Sequence, residues 1–144
     1  TSIPSTYTDL QLVLSVRMNS GTSPFYLYFN GDTGANYSDR RLSGNGAAAS
    51  SSSSSSIRLG NFNGSDTTSS TFSSHSIYIP NYAGSNYKSV SVDAVSENNA
   101  TTAYAQLLAG LWSSTSAITS IKVEEGSASF VQYSTAYLYG IKKS

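Results

Sequence analysis

His75 is the single imidazole of a 144-residue chain that contains no cysteine. Those two facts remove disulfide frameworks, thiolate zinc sites, cysteine nucleophiles and any His-based zinc centre built within one chain. A Ser-His-acid triad would have one available base, and it would want a nucleophile elbow of the Gly-x-Ser-x-Gly kind, which occurs nowhere. His75 sits in Phe72-Ser73-Ser74-His75-Ser76-Ile77, beside an alternating run, and reads as a solvent-facing strand residue. Its replacement by alanine is expected to leave function untouched. Glu124 and Glu125 are adjacent, so on a strand they point to opposite faces and cannot flank one glycosidic bond. The remaining acids, including Asp9, Asp39, Asp66, Asp93 and Glu97, are scattered and lack the alternating oxygens of a calcium loop. Asn30-Gly31-Asp32-Thr33 gathers oxygens in one turn, where a simple Asx turn is the commoner outcome. No catalytic, cofactor or metal site emerges, and the expectation is a protein that is not an enzyme.

Aromatic side chains are the other chemistry on offer. There are 11 Tyr, and Trp112 is the sole Trp. Exposed rings stack on sugar rings, and Trp112, Tyr82 and Tyr87 are the candidates for that role or for an interface. Half-buried Tyr at sheet edges and subunit contacts is the commoner use of such residues. The pair Arg40-Arg41 reads as interfacial or solvated. Lys plus Arg and Asp plus Glu number 8 each, so no basic field exists to draw nucleic acid or anionic membrane. The sequons at Asn36, Asn63 and Asn99 matter only in a host that glycosylates them.

The elements that must position these residues read as strand after strand. Leu10, Leu12, Leu14, Val16 and Met18 alternate with Gln11, Val13, Ser15 and Arg17. Phe25, Leu27 and Phe29 alternate with Tyr26 and Tyr28, and the turn around Gly31 follows. Further strands are expected over 37–42, 57–59, 72–79, 88–95, 102–112, 118–123 and 135–141. The stretch 102–112 also fits a helical period, and its all-strand surroundings favour strand. Residues 44–56, ending in a run of seven serines, read as an exposed mobile loop, and deleting residues 50–56 should cost under about 1 kcal/mol. Eight or nine strands at such spacing imply a single all-β domain over residues 1–144, an antiparallel β-sandwich of jelly-roll type. Charged residues are only 11%, and Ser and Thr together number 45. That surface suits secreted or virion-type domains. No apolar run approaches the length of a membrane span.

Several segments are familiar as a set: Ile3-Pro4-Ser5-Thr6-Tyr7-Thr8-Asp9-Leu10, Phe29-Asn30-Gly31-Asp32-Thr33-Gly34-Ala35-Asn36-Tyr37-Ser38, and Ile77-Tyr78-Ile79-Pro80-Asn81-Tyr82. Gly110-Leu111-Trp112, Ala117-Ile118-Thr119-Ser120-Ile121 and Tyr137-Leu138-Tyr139-Gly140-Ile141 complete it. Over nearly its whole length the chain resembles a family of small structural proteins of tailed bacteriophages. The resemblance implies a virion protein. As a capsid decoration or cement protein it would contact the major capsid protein or other virion proteins, as a homo-trimer on the particle surface. As a tail-fibre or spike domain it would meet a host-surface glycan. In that family the Ile-Pro-x-Thr-Tyr-Thr-Asp-Leu segment follows an initial strand, so the resemblance also implies that this chain lacks a preceding first strand. Such a lack would leave an edge to be covered by another segment or subunit.

Overall fold

A computed structural model of the protein describes residues 2–100, 103–126 and 128–143. The alternating runs become strands, because alternation places every second side chain on one face of a pleated ribbon. The ten strands are β1 (Asp9–Val16), β2 (Ser23–Phe29), β3 (Tyr37–Gly44), β4 (Ala49–Ser54), β5 (Ile57–Phe62), β6 (Ser73–Ile79), β7 (Lys88–Val95), β8 (Ala105–Trp112), β9 (Ile121–Glu124) and β10 (Thr135–Ile141). They form an antiparallel β-sandwich, as the sequence implies. Its halves are unequal. Seven strands in the order β10-β1-β6-β7-β8-β3-β4 face three in the order β5-β2-β9, and β6, β7 and β8 run as a meander. Burial alternates residue by residue along β6 and β7.

The core lies between the two sheets. Leu10, Leu12 and Leu14 of β1, Ile77 of β6, Val90 and Val92 of β7 and Leu108 of β8 point inward from the large sheet. Phe25, Leu27 and Phe29 of β2 and Phe62 of β5 meet them from the small one. Phe25 stacks on Phe62 with ring centroids 4.6 Å apart. Offset stacking of this kind contributes about 1 kcal/mol beyond the area it buries.

β5 packs on the inner face of the large sheet against β3, β6, β7 and β8. Polar side chains rising from that sheet satisfy its backbone. Asp39 accepts from Arg58 N at 3.1 Å, Gln106 Oε1 from Asn61 N at 2.7 Å and Ser73 Oγ from Asn63 N at 2.6 Å. The Nδ1–H of His75 donates to the Leu59 carbonyl at 2.7 Å. Asp39, Ser73, His75 and Gln106 are all buried, and their placement answers the rule that buried backbone groups must find partners. Between them, Gly60 takes φ +86, and a Cβ there would stand 2.7 Å from Ala94 Cβ and 2.8 Å from Gln106 Oε1. Only glycine lets β5 lie this close.

Two expectations need correction. His75 is not solvent-facing. It is 1% exposed, it lies 4.1 Å from the Phe62 ring centroid, and it points inward because β5 needs a donor there. The serine tract within 44–56 is not a loop. β4 pairs with β3 in full register, Arg40 opposite Ser53 and Leu42 opposite Ser51. Strand pairing is made by the backbone, and β3 otherwise leaves one side unpaired, so serines suffice once Gly46 at φ +83 and the Asn45 side chain reverse the chain. The exposure expected of the tract does hold along most of β4. At the other expected boundaries, β8 begins at Ala105, with residues 101 and 102 outside the described set, and β9 begins at Ile121.

Candidate interaction surface

Of the three aromatic candidates, the structure buries two. Trp112 is 2% exposed, and its Nε1–H donates to Asp32 Oδ2 at 2.8 Å. Its ring stacks on Tyr37 with centroids 6.4 Å apart. Asp32 also accepts from Gly34 N at 2.8 Å and from Asn36 Nδ2 at 2.9 Å. The bond from Trp112, then those from Gly34 and Asn36, hold the Asp32 carboxyl below its ordinary pKa. The Asn30–Asp32 turn is therefore a brace for Trp112. Tyr82 is fully buried, and its hydroxyl donates to the Pro4 carbonyl. Neither ring can stack on a ligand. Sequence position could not reveal this, because Trp and Tyr are amphipathic and serve either side of a sheet. Tyr87 is 55% exposed and stays available.

Arg40 and Arg41 part company, as neighbours on a strand must. Arg40 points outward and donates to the Asp39 carbonyl at 2.8 Å. Arg41 is half-buried and its Nε has no hydrogen-bond partner among the described residues. Burial and then the neighbouring Arg58 charge lower its pKa. The well-made pair is Asp39 with Arg58, 2.6 Å apart at the closest oxygen and nitrogen and bidentate in form. It ties β3 to β5.

Other charges the sequence did not single out also brace the chain. Lys88 is fully buried, where its Nζ donates to the carbonyls of Gly84 at 2.8 Å and Asn86 at 2.5 Å, and burial lowers its pKa. Arg17 donates to the carbonyls of Thr67, Thr68 and Thr71. Asp66 accepts from Thr22, and Asp9 from Tyr78 and Asn81. Among the sequons, Asn63 is wholly buried, Asn36 is exposed, and the motif at Asn99 ends on Thr101, which lies outside the described residues.

Apolar surface gathers in two places. On the outer face of the large sheet, Leu42 and Leu107 stand opposite one another, 60% and 56% exposed. They line a shallow groove of about 520 Å³ with Arg40, Ser51, Ser53 and Ala109. The second place is one flank of the sandwich. There the three-stranded sheet stops at β9 while the large sheet continues to β10. A groove of about 670 Å³ opens between them, walled by Leu12, Leu14, Val16, Ile121, Val123 and Leu138. β10 itself exposes Tyr137 and Tyr139 at 54% each, with ring centroids 6.4 Å apart, and Leu138 and Ile141 at 43% and 41%. Pairing across β1 and β6 sets Tyr139, Gln11 and Tyr78 in one outward-facing row. The aromatic surface thus lies on β10 and β6. The signal was in the sequence as Tyr137-Leu138-Tyr139, but alternating aromatics equally describe a buried strand.

Comparison with protein-family models, with curated proteins and with solved structures gives no match.

Proposed function

We propose that this protein is a non-enzymatic structural component of a bacteriophage particle, a capsid decoration or cement protein held on the outer surface of the virion by contacts with the major capsid protein. The resemblance of its sequence segments supports the reading, and one structural observation carries it further. Asp32, Asp39, Arg58, Lys88, Arg17 and the lone His are engaged in bracing the sandwich, while apolar side chains collect on a flank and an outer groove. That is the economy of a part that works by contact. Net charge zero agrees with a surface that does not attract polyanions.

A second reading has its own observation. The row of Tyr139, Gln11 and Tyr78, with Tyr137 beside it, is a flat aromatic face with amide and hydroxyl groups, which suits stacking on a host-surface polysaccharide as in a fibre or spike domain. Imaging intact virions at a resolution that places this fold separates the two. Density repeating over the capsid lattice is the expected result. Density confined to the tail tip would favour the polysaccharide reading, and absence from the particle would overturn both.

A further inference from the structure

We propose that the β10 flank is a self-association surface, and that a second copy of this chain occupies it by antiparallel β10-to-β10 pairing about a two-fold axis. Among the described residues nothing lies beyond β10 in the large sheet, so one side of this seven-residue strand presents unpaired backbone groups. Natural edges are usually protected by Pro, Lys, inward charges or bulges. β10, Thr-Ala-Tyr-Leu-Tyr-Gly-Ile, has none of these, and its pairing with β1 runs in unbroken register. It exposes apolar side chains on both faces, Tyr137 and Tyr139 on one and Leu138 on the other.

Area and symmetry choose the occupant. Taking about 200 Å² for a fully exposed aromatic ring, the exposed parts of Tyr137, Leu138, Tyr139, Ile141 and Phe130 offer roughly 450 Å² per copy. With the strand backbone and the groove walls, two copies approach the roughly 1,200 Å² at which stable interfaces begin. Antiparallel pairing is isologous, each copy presenting the same patch. Head-to-tail packing into a three-fold ring would need a second, complementary edge. The opposite edge is β4, which carries only Ala and Ser. In the two-fold arrangement Leu138, the middle residue of β10, meets its own copy near the axis, and the two grooves open towards each other. The contact stands independently of where on a particle the protein sits.

Light scattering on a gel-filtered sample at micromolar concentration tests this. The expected mass is twice the 15.2 kDa of the chain. The double variant Tyr137→Lys/Tyr139→Lys, which sets like charges across the axis on exposed positions, should halve it while keeping the circular dichroism of a β-sandwich. Because the chain has no cysteine, one introduced thiol reports one contact. Leu138→Cys should form a covalent dimer on mild oxidation, and Ser53→Cys on β4 should not. This second readout remains decisive if the lysine variant fails to fold. A monomeric or trimeric wild type, or equal cross-linking at the two positions, would overturn the proposal. A wild-type monomer whose β10 becomes protected only in assembled particles would assign the flank to another virion protein instead.

Discussion

The buried imidazole of His75 ties stability to pH. Burial, partly offset by the bond to the Leu59 carbonyl, lowers its pKa to about 4. The unfolded value is about 6.5, so the unfolded chain binds a proton more readily than the folded one between those values. The contribution is complete above about pH 6.5 and is lost as pH falls towards 4, the loss by pH 4.5 being about 2 to 3 kcal/mol. Urea unfolding at pH 7.5 and 4.5 should therefore show wild type losing more stability than His75→Gln, by about that amount. Parallel losses would mean that His75 is hydrated in the fold. A second residue-scale prediction concerns Asp39. Asp39→Ala removes the partner of a largely buried guanidinium and the acceptor for Arg58 N, which should cost about 3 kcal/mol. Arg40→Ala, on the exposed side of the same strand, should stay within about 0.5 kcal/mol. Equal effects of the two changes would contradict the bracing role.

At the scale of elements, alternation told most of the story where side chains divide between core and water. Leu10 to Val16, Phe25 to Phe29 and Val90 to Ala94 are legible because each carries apolar residues at period two. β4 was not, since its serines serve neither core nor period and the strand exists because β3 offers it a ladder. Nor could the sequence say that Asp39, Ser73, His75, Lys88 and Gln106 point inward. Lys88 holds the adjoining 84–86 turn, and the others serve the backbone of another segment, a need that appears only when the sheets are assembled. The aromatic candidates Trp112 and Tyr82 point inward for a related reason: their polar tips are satisfied internally by Asp32 and Pro4. Two measurements follow. Deleting 50–56 strips the register between β3 and β4, so its cost should be about 2 kcal/mol or more, above the loop-entropy figure of under about 1. Gly60→Ala combines a positive φ with overlap against Ala94 and Gln106, and should cost about 3 kcal/mol in denaturant titration. A neutral Gly60→Ala would mean that β5 can lift from the large sheet without loss.

For the molecule as a whole, the uneven sandwich implies uneven stability. Among the described residues β6, β7 and β8 are paired on both sides and face the core, whereas β4 and β10 are paired on one side only and β9 only with β2. Opening energies in a native protein run from near zero at frayed edges to the full unfolding free energy in the central strands. Hydrogen exchange read by mass spectrometry should therefore find amides of β7 and β8 exchanging only through global unfolding, and those of β4 fastest among the strands. β10 separates the isolated sandwich from the paired one. In a lone molecule its outward amides face water and exchange like those of β4 at every concentration. Pairing with a second copy gives those amides a ladder, and mass action then makes their protection rise with protein concentration. Over a hundredfold dilution, peptides covering β10 should lose protection while those covering β7 and β8 do not change. Fast exchange in β10 that ignores dilution would leave the tyrosine face and its neighbouring groove as surface for a different partner.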